Sequence, residues 1–452
     1  MAGAPTRERV LWDVVEEHLE EGAYAALVYD RALQSPVQTL ADLERHPEEL
    51  LIAHVDGLRA GGAAVRERLL LPALAAATEE EPEYLLVAAW TLFEDEAFDA
   101  LAAALPPRSA PWLWHALADA ARHTRNDAID GWIRGLLAAS STRVDPCTLL
   151  WLAYARSLRV DDLLGPLQSF EAPVVAAAAR LARHADPARL MAVMQYLLDH
   201  DDAQVRDAAL VCSLSWGAQK AWLKCREWAL DPAQPSELAS VLYAALGTRA
   251  DQRDFAVLLD ADATRQSTLF ALGFSGNREL AGPLLAALNA VDPLEAKLAA
   301  QSLGLIFGFS PAADEFSMAP AAPREAPELP PAEDDPEAQA GLPPLEDDDL
   351  DADLVPSPED ELPQPNATAI AEFCARAPGS STQRTLAGRA WNSGQVAEVL
   401  DGAPLRVRHA LALSHGVRSA GSAWLDTRAA TVKQRAGLVR VAASASQRHV
   451  GF

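Results

Sequence analysis

Val205-Arg206-Asp207-Ala208-Ala209-Leu210 is the clearest copy of a short helical unit that recurs through the middle of the chain. It is echoed near the C-terminus at Val407-Arg408-His409-Ala410-Leu411-Ala412. Small Ala residues let two helices approach closely, while the aliphatic stem of an Arg can cover the edge of the contact with its charge in water. Between residues 172 and 308 the unit returns five times, its leucine falling at Leu181, Leu214, Leu246, Leu272 and Leu303, with separations of 33, 32, 26 and 31. A period of about 30 residues marks stacked helix pairs, in which one pair cannot bury its own apolar face and its neighbours complete the core. The expected fold is all-α, a helical-repeat solenoid.

Local signals agree. Asp-Pro occurs at Asp145, Asp186, Asp231 and Asp292, each ahead of an apolar run. Asp can accept from the free N–H groups of a first turn, and Pro gives up a donor that has no partner there, so all four are expected helix starts. After Pro187, the residues Leu190, Met191, Met194, Leu197 and Leu198 follow the spacing of one buried helix face, which favours core packing over a methionine-lined binding surface. Leu246-Gly247, Leu272-Gly273 and Leu303-Gly304 place a Gly near each helix end.

Composition narrows the classes. Apolar residues make up 50% of the 452, and the dominance of Ala and Leu over β-branched residues favours helix over strand. Four cysteines, Cys147, Cys212, Cys225 and Cys374, lie far apart without a CxxC, so a disulfide framework is not expected and a reducing, cytoplasmic setting is. No run of 18 apolar residues occurs, which argues against membrane insertion. The net charge of −26 would repel a phosphate backbone, so nucleic acid is not an expected partner.

Charge and proline also divide the chain. Residues 320–366 hold fifteen acids, one base and twelve prolines, while residues 367–452 hold eleven bases and four acids. The former stretch cannot bury enough apolar surface to offset its ordering and is expected to be a disordered linker with a weak, salt-sensitive preference for the basic module after it. The expected organisation is an N-terminal helical region 1–63, a solenoid 64–319, the linker 320–366 and a C-terminal basic helical module 367–452. Helices are expected over 8–34 and about 47–61, with a helix start at Thr39 to Asp42.

Three further stretches carry a resemblance: Tyr24-Ala25-Ala26-Leu27 with Asp30-Arg31-Ala32, Thr39-Leu40-Ala41-Asp42-Leu43, and His54-Val55-Asp56-Gly57-Leu58. Together with Trp424-Leu425-Asp426-Thr427-Arg428-Ala429 and Gln434-Arg435, they resemble a family of uncharacterised proteobacterial HEAT-repeat proteins. The resemblance implies no assigned enzymatic activity and a gene setting near type VI secretion. It thus points to a protein-binding scaffold or adaptor with an accessory or effector-handling role. The alternative is a HEAT-like lyase or modifying-enzyme subunit, which would declare itself by a prosthetic group.

Candidate interaction residues are Arg31, Asp42, His54, Asp56, Arg59, Trp222 and Arg428. His54, Asp56 and Arg59 sit on or beside one helical turn, and a hydrogen-bonded structural corner ending at Gly61-Gly62 is the plainer reading of them. Trp216, Trp222 and Trp228 recur every six residues and cannot share one helix face; Trp222 is the candidate for an exposed anchor. There is no HExxH, GxSxG, Walker-type loop or dinucleotide glycine motif. His18 among Glu16, Glu17 and Glu20, and His200 beside Asp201 and Asp202, lack complementary ligands and are expected on solvated acidic faces. No cofactor, metal or catalytic residue is expected.

Overall fold

A computed structural model describes residues 10–105, 111–139, 160–233, 236–318, 358–378 and 383–444. The expected helix start at Asp145 and most of the expected linker lie outside them. Within them the chain is all-α but for one two-stranded hairpin, β1 (Thr385–Leu386) paired antiparallel with β2 (Arg389–Ala390).

The long helices are α1 (Trp12–Leu33), α2 (Glu49–Ala60), α3 (Pro82–Glu94), α4 (Pro111–His123), α5 (Ala128–Ala139), α6 (Ala172–Ala182), α7 (Pro187–Leu197) and α8 (Ala203–Ser215). They continue with α9 (Gln219–Ala229), α10 (Glu237–Leu246), α11 (Arg249–Ala256), α12 (Asp262–Leu272), α13 (Ala281–Ala287) and α14 (Pro293–Phe307). The last four are α15 (Ala367–Arg376), α16 (Ser393–Gly402), α17 (Leu405–Arg418) and α18 (Thr431–Ala443).

Each of the five periodic leucines lies on its own helix of the series α6, α8, α10, α12, α14. Leu181, Leu214, Leu272 and Leu303 are buried and Leu246 is half-buried. Along that series α6 packs on α8, α10 on α12 and α12 on α14, while α9 packs on both α8 and α10. Close approach follows from composition: in α6 the run Val174 to Ala179 is buried without a break, since a one-carbon side chain lets backbones meet. The apolar face after Pro187 is core as expected, with Leu190, Met194, Leu197 and Leu198 buried. In the N-terminal region α1 packs on α2 and α3, and α3 packs on α4.

Helix starts follow their caps. Asp186 accepts from the N–H of Ala188 at 3.0 Å and Asp292 from that of Leu294 at 2.9 Å, as Asp-Pro predicts. Asp231 is a correction: its carboxylate accepts from Ala233 in a turn, and α10 begins later under Ser236. Thr39 and Asp42 form a reciprocal capping box. Gly304 lies in the last turn of α14, near the helix end as expected, and its carbonyl accepts from Gly308, the left-handed cap at φ 91°.

The C-terminal module does not stand apart from the repeats. Helix α17 packs against α8 and α10 and also reaches α1. Its backbone is tied to the N-terminal loop, Leu405 N–H donating to the carbonyl of Gln38 at 2.8 Å and Arg406 N–H to that of Ser35 at 3.1 Å. Arg384 donates to the carbonyls of Ala245 (2.6 Å) and Gly247, and Arg418 to that of Ala245, so two guanidinium groups receive the open carbonyl end of α10. The hairpin docks where Gly276 and Gly308 leave room: a Cβ on either would stand 2.4 to 2.5 Å from the carbonyl oxygen of Thr385 or Ala387.

The echoed motif differs in its two copies. Arg206 is half-buried and donates to the carbonyls of His200 and Asp201, whereas Arg408 is 0% exposed and donates to Leu400 and Gln434. The Arg in the second copy is thus not a surface stem with its charge in water, and burial lowers its pKa to about 10. The end of the acidic stretch also departs from expectation. Pro358–Glu361 forms a 3-10 turn, Leu362 is buried, Glu359 pairs with Arg406, and Glu361 accepts from the Ser35 hydroxyl. Among the described residues no helix is long and apolar enough to cross a membrane.

Candidate protein-binding cleft

Where α17 meets α8, α9 and α10, a cleft of about 1220 Å³ opens. Its apolar lining comes from Leu198, Trp228, Leu238, Val241, Phe270 and Leu413. Around these stand seven carboxylates, Asp199, Asp201, Asp207, Glu227, Asp231, Glu237 and Glu359, against three fixed cations, Arg206, Lys224 and Arg406.

The cations serve groups of the cleft itself. Lys224 pairs with Asp199 and Glu227, each at 3.2 Å. Arg406 pairs with Glu359 and, at 3.7 Å, with Glu237, its guanidinium 4.7 Å from the Phe270 ring. Arg206 is turned to the His200 and Asp201 carbonyls at 2.9 and 2.7 Å. A surplus of negative charge is left facing the opening. Hydrogen bonds from Lys220 and Lys224 hold Asp199 below the usual carboxylate range, and burial pushes Asp207 above it. Lys224 is raised, its bonds to Asp199 and Glu227 outweighing its burial.

His409, also in the wall, has both ring nitrogens engaged, Nδ1 with the Thr427 hydroxyl at 2.6 Å and Nε2 with the Leu33 carbonyl at 2.8 Å. Burial lowers its pKa to about 4, so the neutral ring donates from Nε2 and accepts at Nδ1. Its work is to join α1 to α17. The three cysteines among the described residues are buried: burial pushes Cys212 and Cys225 far up and Cys374 up to about 11, away from thiolate chemistry. Among the described residues no three His, Cys, Asp or Glu side chains stand together as a metal site.

None of the seven candidate interaction residues lines this cleft. Arg31 is exposed on the last turn of α1, and Asp42 belongs to the capping box. Asp56 and Arg59 do meet, at 3.1 Å, in a surface network with Asp95 and Arg125. His54 is not part of it and faces His18 instead, Nδ1 to Nδ1 at 3.1 Å, so His18 does not lie on a purely solvated face. Gly57 makes that pairing possible, since a Cβ there would come within 2.6 Å of the His18 ring.

Trp222 is a correction: it is 8% exposed, tilted against Tyr243 with centroids 5.3 Å apart, and is core. The tryptophan of that trio in the cleft wall is Trp228. Arg428 reaches Asp30 across 398 residues. Three sequence features did touch the cleft without being chosen, the first being Arg206 and Asp207 of the first motif copy. His200 and Asp201 lie in the loop that Asp202 caps onto α8, and Arg406 and His409 flank or sit in the second motif copy.

Compared with known proteins, the chain matches no family model and no curated protein. One solved structure with some likeness is described as an engineered protein; it shares 16% identity over 64% of this chain and 88% of its own, at a TM-score of 0.29.

Proposed function

We propose that this chain is a non-enzymatic protein-binding adaptor, and that the cleft between α17 and the repeat helices receives a basic, partly apolar segment of a partner protein. The observation that carries the reading is the pairing of a surplus of carboxylates with an apolar lining that includes a half-buried Trp. Opposite charge steers and orients an incoming segment, and a Trp at the centre of a contact is a strong anchor. The secretion setting rests on the family resemblance alone, and makes a type VI component or effector the partner to seek first.

The test is fluorescence anisotropy of the purified full chain with a labelled peptide of alternating Lys and Leu, beside a Glu and Leu counterpart. Saturable binding of the Lys peptide, weakened by salt and by Asp207→Asn and lost in Trp228→Ala, is the expected result. Equal binding of both peptides, or unchanged binding by Trp228→Ala, would sink it.

A further inference from the structure

His18 of α1 and His54 of α2 meet nitrogen first, Nδ1 to Nδ1 at 3.1 Å. With the ring centroids 5.3 Å apart at that separation, the two Nδ1 atoms point at one another along the line between the rings, the geometry of a direct hydrogen bond. Two glycines set how closely the helices lie here. A Cβ at Gly57 of α2 would stand 2.6 Å from His18 Nε2, and one at Gly22 of α1 would stand 3.3 Å from the His54 Cβ.

This contact tolerates one added proton and not two. A neutral imidazole has one N–H and one bare nitrogen, so one Nδ1 donates and the other accepts. A first added proton settles on the bare Nε2 of the donating ring and leaves the bond in place, now charge-assisted. A second must take the accepting Nδ1 itself, which sets two N–H groups and two cations head to head. The charged neighbours do not cancel that clash. Glu17 and Glu21 of α1 favour a proton on His54, Asp56 of α2 is engaged by Arg59 and Arg125, and Tyr84 of α3 senses Glu81 and Glu20.

We propose that the His18–His54 pair is an acid-sensitive latch between α1 and α2, closed while at most one ring is charged and opened when both are. An amide side chain in place of either ring would make a hydrogen bond without this response. Burial lowers the His54 pKa, with His18 acting in the same sense, so the contribution of His54 is complete above the ordinary 6.5 and is lost as pH falls. The effect reaches beyond the two helices, because α1 also holds the C-terminal module through Leu33 to His409 and through Asp30 to Arg428. Opening the latch loosens that seat.

The experiment labels the histidines of the full chain with nitrogen-15 and reads by NMR the coupling between nitrogens across the hydrogen bond. At pH 7 a coupling joining the Nδ1 atoms of two histidines is expected, absent from both His18→Gln and His54→Leu. It should vanish by about pH 4.5, with circular dichroism confirming that the helices remain. Amide exchange in α1 and α2, taken relative to free-peptide rates, should speed up by about tenfold per pH unit below about pH 6, the effect of one proton, and by less in His54→Leu. Absence of the coupling at pH 7, its persistence in acid, or the same acceleration in His54→Leu would overturn the proposal. The wild-type coupling decides it even where a variant fails to fold.

Discussion

Glu48 and Thr431 meet across 383 residues of chain, the carboxylate accepting the backbone N–H of Thr431 at 2.8 Å and its hydroxyl as well. Both residues are 3% exposed. Thr431 opens α18, so a side chain from the N-terminal region supplies the cap that α18 lacks locally. Burial raises the Glu48 pKa, with the Thr431 bonds acting the other way. Thr431→Val removes one donor at constant size and should cost about 1 to 3 kcal/mol in urea unfolding, because the buried carboxylate loses a partner. A double-mutant cycle with Glu48→Ala should show coupling; strict additivity would mean the pair does not act as a unit.

His409 sets an acid limit. Its folded pKa is about 4 against an ordinary 6.5, so the unfolded chain binds the extra proton first as pH falls. Its contribution is complete above 6.5 and is lost progressively as pH drops to about 4, a total of about 3 kcal/mol at one pKa unit per 1.36 kcal/mol. His123, lowered to about 3 by burial, acts with the same sign. Stability measured by denaturant between pH 7 and pH 4 should fall, and His409→Asn should flatten the slope. An unchanged slope would remove His409 as a cause.

The two glycines Gly276 and Gly282 should respond oppositely to alanine. Gly276 combines φ 61° with a backbone oxygen 2.4 Å from any added Cβ, so Gly276→Ala should cost about 1 to 3 kcal/mol and expose the hairpin amides to hydrogen exchange. Gly282 lies in α13 with open space around it, and Gly282→Ala should stabilise by up to about 1 kcal/mol. Thermal melts of the pair would show whether the hairpin is held by the repeat loops.

Asp292→Ala should cost about 1 kcal/mol, since Asp292 caps α14, whereas Asp231→Ala should cost less, since Asp231 closes only a turn. Equal losses in chemical denaturation would mean that the Asp-Pro dipeptides act through something other than capping.

That contrast shows where sequence reading stops. Short-range chemistry was legible: the periodic leucines, the Thr39 box, Asp186 and Asp292 all act through neighbours within one or two turns. What was not legible depends on residues far apart in the chain. Arg408 and Arg206 share a motif, yet one is buried because α16 and α18 close over it and the other borders a cleft. Trp222 and Trp228 are separated by one and two-thirds turns of helix, about 240° around the axis, and only the packing of α10 decides that the former is core. The cleft itself is made by α17 settling on helices about 200 positions upstream, a long-range contact that no local signal announces. Nor did the acid-rich composition before Ala367 reveal that its last residues are anchored by Ser35 and Arg406.

The seating of α17 and α18 on the beginning of the chain bears on how this protein is made. An array whose units touch only their neighbours can fold piece by piece as it leaves the ribosome. Here the carbonyl end of α10 waits for Arg384 and Arg418, and Glu48 waits for Thr431, all supplied well over a hundred residues downstream. The nascent helices α1 to α14 thus stay incomplete until α17 and α18 have been made, and a chain truncated before α17 would carry α6 to α14 and still lack their last stitches.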